Sequence, residues 1–245
     1  MPNIPASSPV WLFDLDNTLH DASHAIFPAI SANMNVYIAR VLTNVDGAPS
    51  QAQIDAARTG YWRRYGATLL GMVRHHQVDA AHFLHETHAL GTAANLGGMM
   101  RFEAGLGRLL RRLPGRKILL TNAPRRYSTA VLRQLGLQRH FDRHIAIEDM
   151  QVHRQLRPKP SKLMLRRLLR KHGLAAGRCI LVEDTLANLR PARQLGMRTA
   201  WITQYLRTVD ASGSASLPRM LKRPAYVDVK VKSVRQLPAR LHLLR

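Results

Sequence analysis

Short apolar runs alternate with longer amphipathic segments at the start of the chain and through its second half. Residues 10–13, 118–120 and 180–182 are apolar runs that end abruptly at polar side chains. Runs of this length, bounded in this way, are typical of strands buried on both faces of a parallel sheet. Helical periodicity follows them, for example at 125–135 and 187–195, and a basic amphipathic helix is predicted at 159–172. This alternation predicts βαβ units and an α/β fold built on a parallel sheet.

Residues 21–99 carry a different pattern, in which helical periodicity continues without a strand signal. Between residues 24 and 43, apolar side chains recur at spacings of three and four, which predicts an amphipathic helix. Ser50 follows a break in this pattern and is expected to cap a second helix that runs to about Tyr65. The rest of the segment is predicted as two helices and a loop, at residues 67–76, 79–88 and 90–98.

The helical segment interrupts the α/β pattern directly after its first strand, so it is predicted to be an insertion. The predicted domains are an α/β core, residues 1–20 and 100–245, and a helical domain, residues 21–99. Within the helical segment five basic residues balance five acidic ones. The whole chain has 37 Lys and Arg against 15 Asp and Glu, a net charge of +22. The entire positive excess therefore belongs to the predicted core.

Composition limits the class of protein. Hydrophobic residues make up 46% and charged residues 21% of the 245 residues, the balance of a soluble globular protein. No apolar run approaches the ~20 residues that a membrane-spanning helix needs. The first nine residues lack the basic start and long apolar stretch of a secretory signal. A single cysteine, Cys179, excludes an internal disulfide framework. These features predict a cytoplasmic protein without a membrane partner.

The strong positive charge would attract an anionic partner, either a small phosphorylated metabolite or nucleic acid. Nucleic-acid binding rests on net charge alone, because the sequence has no recognisable nucleic-acid-binding motif. An arginine-rich surface that is only solvated explains the same charge more simply. Charge alone leaves both partners open, a small phosphorylated metabolite and, as the alternative, nucleic acid.

Polar residues that could carry chemistry follow the three apolar runs, as the pairs Asp14 and Asp16, Thr121 and Asn122, and Glu183 and Asp184. If the strands are parallel, these groups meet at one edge of the sheet, where α/β folds bind ligands. Neighbouring carboxylates repel each other and commonly recruit a cation, and a hard cation such as Mg²⁺ prefers oxygen ligands. A hydroxyl, an amide and the ammonium of Lys159 suit a phosphate group. Taken alone, the segment 16–18 is equally typical of an ordinary Asx turn.

Four motifs in this order resemble the haloacid dehalogenase superfamily: Phe13-Asp14-Leu15-Asp16-Asn17-Thr18, Leu120-Thr121-Asn122, Lys159, and Val182-Glu183-Asp184-Thr185 with Asn188. The fourth motif departs slightly, since many relatives carry Asp at the position of Glu183. The resemblance implies a Rossmann-like parallel-sheet core with an all-helical cap inserted after the first strand. It also implies a hydrolase that uses Mg²⁺.

The resemblance also implies roles for individual residues. Asp14 is expected to be the nucleophile that forms an aspartyl phosphate, and Asp16 the general acid and base. Lys159 is expected to act in catalysis and, with Thr121 and the backbone of Asn122, to hold the phosphate. The expected metal ligands are Asp14, the backbone carbonyl of Asp16, and Asp184, with Glu183 and Asn188 in supporting or water-mediated positions.

Within the predicted cap, the stretch from Tyr61 to Leu69, with Phe27-Pro28-Ala29-Ile30 before it, resembles the cap of the branch related to pyrimidine 5′-nucleotidases. The candidate specificity residues are Tyr61, Arg63, Arg64 and Tyr65, which could stack on a base or hold a second anionic group. The alternative is that these residues form cap core and a solvated arginine face. Asp16 favours phosphate chemistry, because relatives that cleave carbon–halogen bonds lack this second aspartate. A phosphatase is therefore expected, with a phosphomutase as an alternative on the same fold.

Overall fold

The computed structural model describes residues 8–43, 47–206, 208–209, 215–216 and 222–244. Residues 1–7, which are predicted not to be a secretory signal, lie outside this part. The chain divides into two compact units, residues 1–23 with 100–245, and residues 24–99. None of the helices in the described ranges is long and apolar enough to cross a membrane.

The strands of the described part are β1 (Val10–Phe13), β2 (Arg116–Leu120), β3 (Arg143–Ile145), β4 (Gln151–Val152), β5 (Gln155–Leu156), β6 (Cys179–Glu183), β7 (Arg198–Ile202), β8 (Thr208–Val209), β9 (Ala215–Ser216) and β10 (Val229–Val231). The α-helices there are α1 (Ile26–Leu42), α2 (Gln51–Tyr65), α3 (Thr68–His76), α4 (Ala80–Thr87), α5 (Ala93–Met99), α6 (Leu106–Arg112), α7 (Arg125–Gln134), α8 (Lys162–Lys171) and α9 (Leu186–Gln194). Short 3₁₀ helices lie at Gln138–His140, Ile147–Asp149, Ala176–Arg178, Val234–Gln236 and Pro238–Leu243.

The larger unit is built on a six-stranded sheet with the strand order β10-β7-β6-β1-β2-β3. Every neighbouring pair in this sheet is parallel. The predicted Rossmann-like α/β fold is therefore confirmed. Strand β1 lies between β6 and β2, which places the end of the first apolar run inside the sheet rather than at its margin.

The continuous apolar sequence of β1 follows from burial on both faces. Trp11, Leu12 and Phe13 have no exposed surface. On helix α8, Leu165 and Leu168 belong to the same buried core as the strands, while the basic side chains of that helix are exposed. Cys179 is also fully buried, so the single cysteine is a core residue.

The smaller unit, residues 24–99, contains helices α1 to α5. Ser50 caps α2 as predicted: its side chain accepts a hydrogen bond from the Gln53 backbone, and the Gln53 side chain bonds back. The predicted loop at 90–98 is wrong, because α5 occupies most of it. At the start of α5, the side chains of Thr92 and Asn95 each accept a hydrogen bond from the backbone N–H of the other residue, which is a capping arrangement. The glycines later in this helix made the segment look like a loop in the sequence.

Another local feature that the sequence did not predict is the hairpin of β4 and β5. Its turn residues, His153 and Arg154, both have positive φ angles, 50° and 62°. Glycine or asparagine normally signals such a turn, and neither is present here. The hairpin therefore carried no recognisable sequence signal.

Gly115, just before β2, is required by its backbone conformation and its surroundings. It has φ +82°, and an added Cβ would lie 2.0 Å from the carbonyl oxygen of Pro9. We expect Gly115→Ala to lower the free energy of unfolding by more than about 2 kcal/mol, measured by urea denaturation. Gly177→Ala is the matched control, because no atom lies within 4 Å of its added Cβ. Equal stability of the two variants would contradict this prediction.

Candidate active site

The parallel register of β1 with both of its neighbours brings the predicted site residues together. Phe13 is aligned with Val182 on one side and with Leu119 on the other. Asp14 follows directly, and its backbone N–H donates a hydrogen bond to the Val182 carbonyl oxygen at 2.9 Å. The polar residues after the three strands therefore emerge at the same edge of the sheet.

Three carboxylates form the centre of this edge: Asp14, Glu183 and Asp184. One oxygen from each lies within 4.8 Å of the others. Burial, followed by the charge of Glu183, raises the pKa of Asp14 to about 7. The same two causes raise the pKa of Asp184 well above its ordinary value. Crowded carboxylates of this kind favour a bound cation, because the cation removes the repulsion between them.

Lys159 supplies one positive charge to the cluster. Its Nζ donates hydrogen bonds to Asp14 Oδ1 at 2.6 Å and to Glu183 Oε2 at 2.7 Å. Burial alone would lower the pKa of Lys159, but the charges of Asp14 and Glu183 outweigh it and raise that pKa above its usual range. One ammonium against three carboxylates leaves the cluster with excess negative charge when all are ionised.

Asn122 holds Lys159 in place through the main chain. The Asn122 side-chain amide donates to the Lys159 carbonyl oxygen and accepts from the Lys159 N–H, each at 2.9 Å. Lys159 precedes α8, which starts at Lys162 after a cap by Ser161, so the predicted helix start at residue 159 is wrong by three residues. The proline at 160 and the capping serine explain the later start. The side-chain amide of Asn122 is therefore engaged with Lys159, whereas the backbone of Asn122, which is expected to hold the phosphate, takes no part in this contact.

The loop after β1 fixes the second oxygen of Asp14. The Thr18 hydroxyl donates to Asp14 Oδ2 at 3.2 Å, in a buried position. Asn17 adopts a positive φ of 58°, and its side-chain amide pairs with the Ser23 hydroxyl and backbone N–H. The motif that was recognised in the sequence therefore also contains the residues that orient its first aspartate.

Asp16 lies apart from the carboxylate cluster. Its Oδ1 accepts a hydrogen bond from the Tyr127 hydroxyl at 2.6 Å and is 2.9 Å from His20 Nε2. Neither Tyr127 nor His20 was singled out from the sequence. A usable signal existed for Tyr127, because it lies in the first turn of α7, which begins immediately after the second motif.

Two further predicted residues and one unpredicted residue complete the site. Thr121 is buried, and its hydroxyl oxygen accepts from the Ala123 N–H at 3.0 Å, which leaves its hydrogen available to a ligand. Asn188 is buried in the first turn of α9. The Trp201 indole donates a hydrogen bond to the Asp184 carbonyl oxygen at 2.8 Å and so fixes the backbone of the fourth motif. No sequence pattern predicted this contact.

The candidate specificity residues of α2 lie in the smaller unit. The ring of Tyr61 stacks on His75 at 5.3 Å, and the hydroxyl of Tyr65 lies 2.6 Å from His75 Nε2. The Arg64 guanidinium lies over the Tyr65 ring at 5.5 Å from its centre. Arg63 is exposed. The two tyrosines therefore contribute to packing between α2 and α3, whereas Arg63 is available to a ligand.

A parallel sheet with carboxylates, a lysine and a threonine at the carboxyl end of its inner strands defines a Rossmann-like α/β protein with an acidic site that suits a metal ion. The family model described as haloacid dehalogenase-like hydrolase matches residues 10–196. The chain belongs to this hydrolase family.

Solved structures share the fold at low sequence identity. A HAD phosphatase from Thermococcus onnurineus is 17% identical with a TM-score of 0.61, and the match covers 96% of this chain and 97% of that one. The magnesium-bound YfnB protein of Bacillus subtilis is 16% identical, with a TM-score of 0.56 and coverage of 96% and 99%. L-2-haloacid dehalogenase from Xanthobacter autotrophicus is 13% identical, with a TM-score of 0.53 and coverage of 96% and 98%.

Proposed function

We propose that this protein is a Mg²⁺-dependent phosphatase of small phosphate monoesters, with nucleoside 5′-monophosphates, pyrimidine nucleotides in particular, as its substrate class. One observation carries the proposal. Asp14 Oδ1 is held by the ammonium of Lys159, while Asp16, two residues further on, keeps its carboxylate outside the carboxylate cluster. Two aspartates in such different surroundings suit two different tasks, nucleophilic attack and proton transfer.

In the proposed reaction, an oxygen of Asp14 attacks phosphorus and the bond to the leaving alcohol breaks. Asp16 gives its proton to the departing oxygen, and the phosphoryl group stays on Asp14 as an aspartyl phosphate. A water molecule then attacks phosphorus and loses its proton to Asp16, which releases inorganic phosphate and restores both aspartates. Proton transfer of this kind is typically worth about 10²- to 10⁴-fold in rate.

The groups around Asp14 suit an incoming phosphate. Lys159 supplies positive charge, and the Thr121 hydroxyl can donate to a phosphate oxygen. Asp14, Asp184 and the backbone carbonyl of Asp16 would hold Mg²⁺, which neutralises charge on the transferred group when it is bound. We assign a water-mediated role to Glu183, whose two oxygens accept hydrogen bonds from Lys159 and from the Thr185 N–H. YfnB, which has the same fold, is bound to magnesium, and this supports Mg²⁺ as the ion that we propose.

Metal binding has a readout that does not depend on turnover. We expect Mg²⁺ at about one hundred times its dissociation constant to raise the unfolding free energy by about 2.7 kcal/mol, measured as a shift in Tm. Asp184→Asn should lose most of this shift, because it removes a carboxylate from the cluster. Glu86→Gln, which changes an acid of the smaller unit paired with Arg40, is the control and should keep the shift. A full shift in Asp184→Asn would contradict the assigned ligands.

The proposed substrate class rests on α2. Arg63 and the neighbouring Trp62, whose side chain is 60% exposed, offer a cation and an aromatic surface to a nucleotide. We expect Arg63→Ala to raise KM for a nucleoside monophosphate by about 10-fold with little change in kcat, the result of losing one charge-assisted contact. An unchanged KM would remove Arg63 from the specificity set.

A panel of phosphorylated metabolites tests the function as a whole. We expect phosphate release that requires Mg²⁺ and is fastest with pyrimidine nucleoside 5′-monophosphates. Release from sugar phosphates but not from nucleotides would overturn the substrate class. A phosphorylated isomer as product, without free phosphate, would identify a phosphomutase instead. No release from any ester would overturn the proposed function.

A further inference from the structure

Asp16 is held by two donors that act on the same oxygen. The Tyr127 hydroxyl lies 2.6 Å from Asp16 Oδ1, and His20 Nε2 lies 2.9 Å from it. Tyr127 is 4% exposed and His20 is fully buried, whereas the Asp16 side chain is 15% exposed. Within the described residues no hydrogen bond reaches the other oxygen, Oδ2. The carboxylate is therefore anchored on one side and open on the other.

The surroundings of His20 indicate which of its nitrogens carries the proton. Nδ1 is buried and has no hydrogen-bond partner in the described part of the chain. A proton on Nδ1 would be an unsatisfied buried donor and would leave the lone pair of Nε2 against a carboxylate oxygen. The tautomer with the proton on Nε2 avoids both costs. His20 thus donates to Asp16.

Tyr127 is equally a donor. Its hydroxyl lies 2.6 Å from Asp16 Oδ1, and in a contact between a phenolic hydroxyl and a carboxylate oxygen the hydroxyl carries the hydrogen. Tyr127 lies in the first turn of α7, which follows the loop after β2 that carries Thr121 and Asn122. The same connection therefore carries the phosphate-binding threonine, the amide that holds Lys159 and the hydroxyl that holds Asp16.

We propose that Tyr127 and His20 are positioning residues that fix Asp16 through Oδ1, so that Oδ2 is the oxygen that exchanges protons with the leaving group and with water. The inference rests on the proposed phosphatase function. An unanchored aspartate can occupy three staggered χ1 rotamers, and proton transfer needs a carboxylate held within hydrogen-bond reach of the reacting oxygen. Two donors on Oδ1 select one orientation before the substrate binds.

The test compares two esters whose leaving groups differ in their need for a proton. An alkyl phosphate such as uridine 5′-monophosphate releases a strongly basic alkoxide, whereas p-nitrophenyl phosphate releases a weakly basic phenolate. The ratio kcat/KM reports the steps up to cleavage of this bond. We expect Tyr127→Phe to lower kcat/KM for the alkyl ester by about 10- to 100-fold and for the aryl ester by less than about 3-fold.

Two comparisons separate positioning from a structural effect. Tyr226→Phe removes a hydroxyl that makes no hydrogen bond to any described residue. This variant should leave kcat/KM unchanged for both esters. His20→Gln keeps a donor near the position of Nε2 and should retain most of the alkyl activity, whereas His20→Leu should lose it. Thermal unfolding of each variant shows whether it is folded.

The outcomes distinguish the inference from the function on which it rests. If the unaltered protein hydrolyses neither ester, the proposed function fails and the positioning roles fail with it. If it hydrolyses both, but Tyr127→Phe lowers them equally or leaves both unchanged, the positioning role is overturned and the phosphatase function stands. A selective loss with the alkyl ester in Tyr127→Phe and in His20→Leu, with most of that activity kept in His20→Gln, supports the inference.

Discussion

Asp14→Asn is expected to reduce turnover of every phosphate ester by about 10⁴-fold or more, to background, while the protein stays folded. The amide has nearly the shape of the carboxylate but no nucleophilic oxygen. Lys159 keeps its contact with Glu183, so the buried ammonium is not left without a counter-charge. Phosphate release from p-nitrophenyl phosphate and Tm, measured on the same preparation, check both parts of this prediction.

The same variant carries a prediction about pH in the absence of metal. Burial and Glu183 raise the pKa of Asp14 from 3.8 to about 7, so the folded state prefers the protonated form. The stability due to this preference is fully present below pH 3.8 and is lost as the pH rises to about 7, at most about 4 kcal/mol. Asp14→Asn cannot ionise, so its metal-free unfolding free energy should fall less over this range. Parallel pH profiles of the two proteins would contradict the prediction.

Lys159→Met is expected to lower the free energy of unfolding by about 3–5 kcal/mol and to abolish activity. The substitution leaves Asp14 and Glu183 buried without the ammonium that now bridges them at 2.6 and 2.7 Å. Lys162→Met, at an exposed position in α8, is the matched control and should change stability by less than about 0.5 kcal/mol. Urea denaturation without metal measures the difference.

A double variant shows that charge, rather than packing, causes the loss. Adding Glu183→Gln to Lys159→Met removes one of the stranded carboxylates and should recover part of the stability. It should not recover activity, because the phosphate still lacks the ammonium. If Lys159→Met alone is as stable as the Lys162→Met control, the bridge between Asp14 and Glu183 is not a structural element of this site.

The positions of Asp14, Glu183 and Asp184 were accessible from the sequence because strand periodicity and strand ends are local signals. A buried strand in a parallel sheet delivers its next residue to a known edge, and three such strands suffice to predict a common site. The strand order could not be read in the same way. That β1 lies between β6 and β2 depends on which helices cover which face, and no local pattern states it.

The contacts that hold the site residues in place were harder to predict from the sequence. Tyr127 and Asp16 are 111 residues apart, and their contact depends on the rotation of α7 about its axis as well as on its start. The pairing of Asn122 with the Lys159 backbone depends on the path of the chain before α8. Residues that do chemistry are recognisable by their type and by their place at a strand end. Residues that orient them are chosen by tertiary geometry.

The most direct test of the account is to stop the reaction with acid during turnover of a labelled phosphate ester and to locate the label on the protein. We expect the phosphoryl group to be on the peptide that contains Asp14. Hydroxylamine should release it, as it releases any acyl phosphate, and the Asp14→Asn variant should carry no label. Phosphatase activity without any phosphoryl group on Asp14, or with the label on another residue, would contradict the central claim that this carboxylate is the nucleophile.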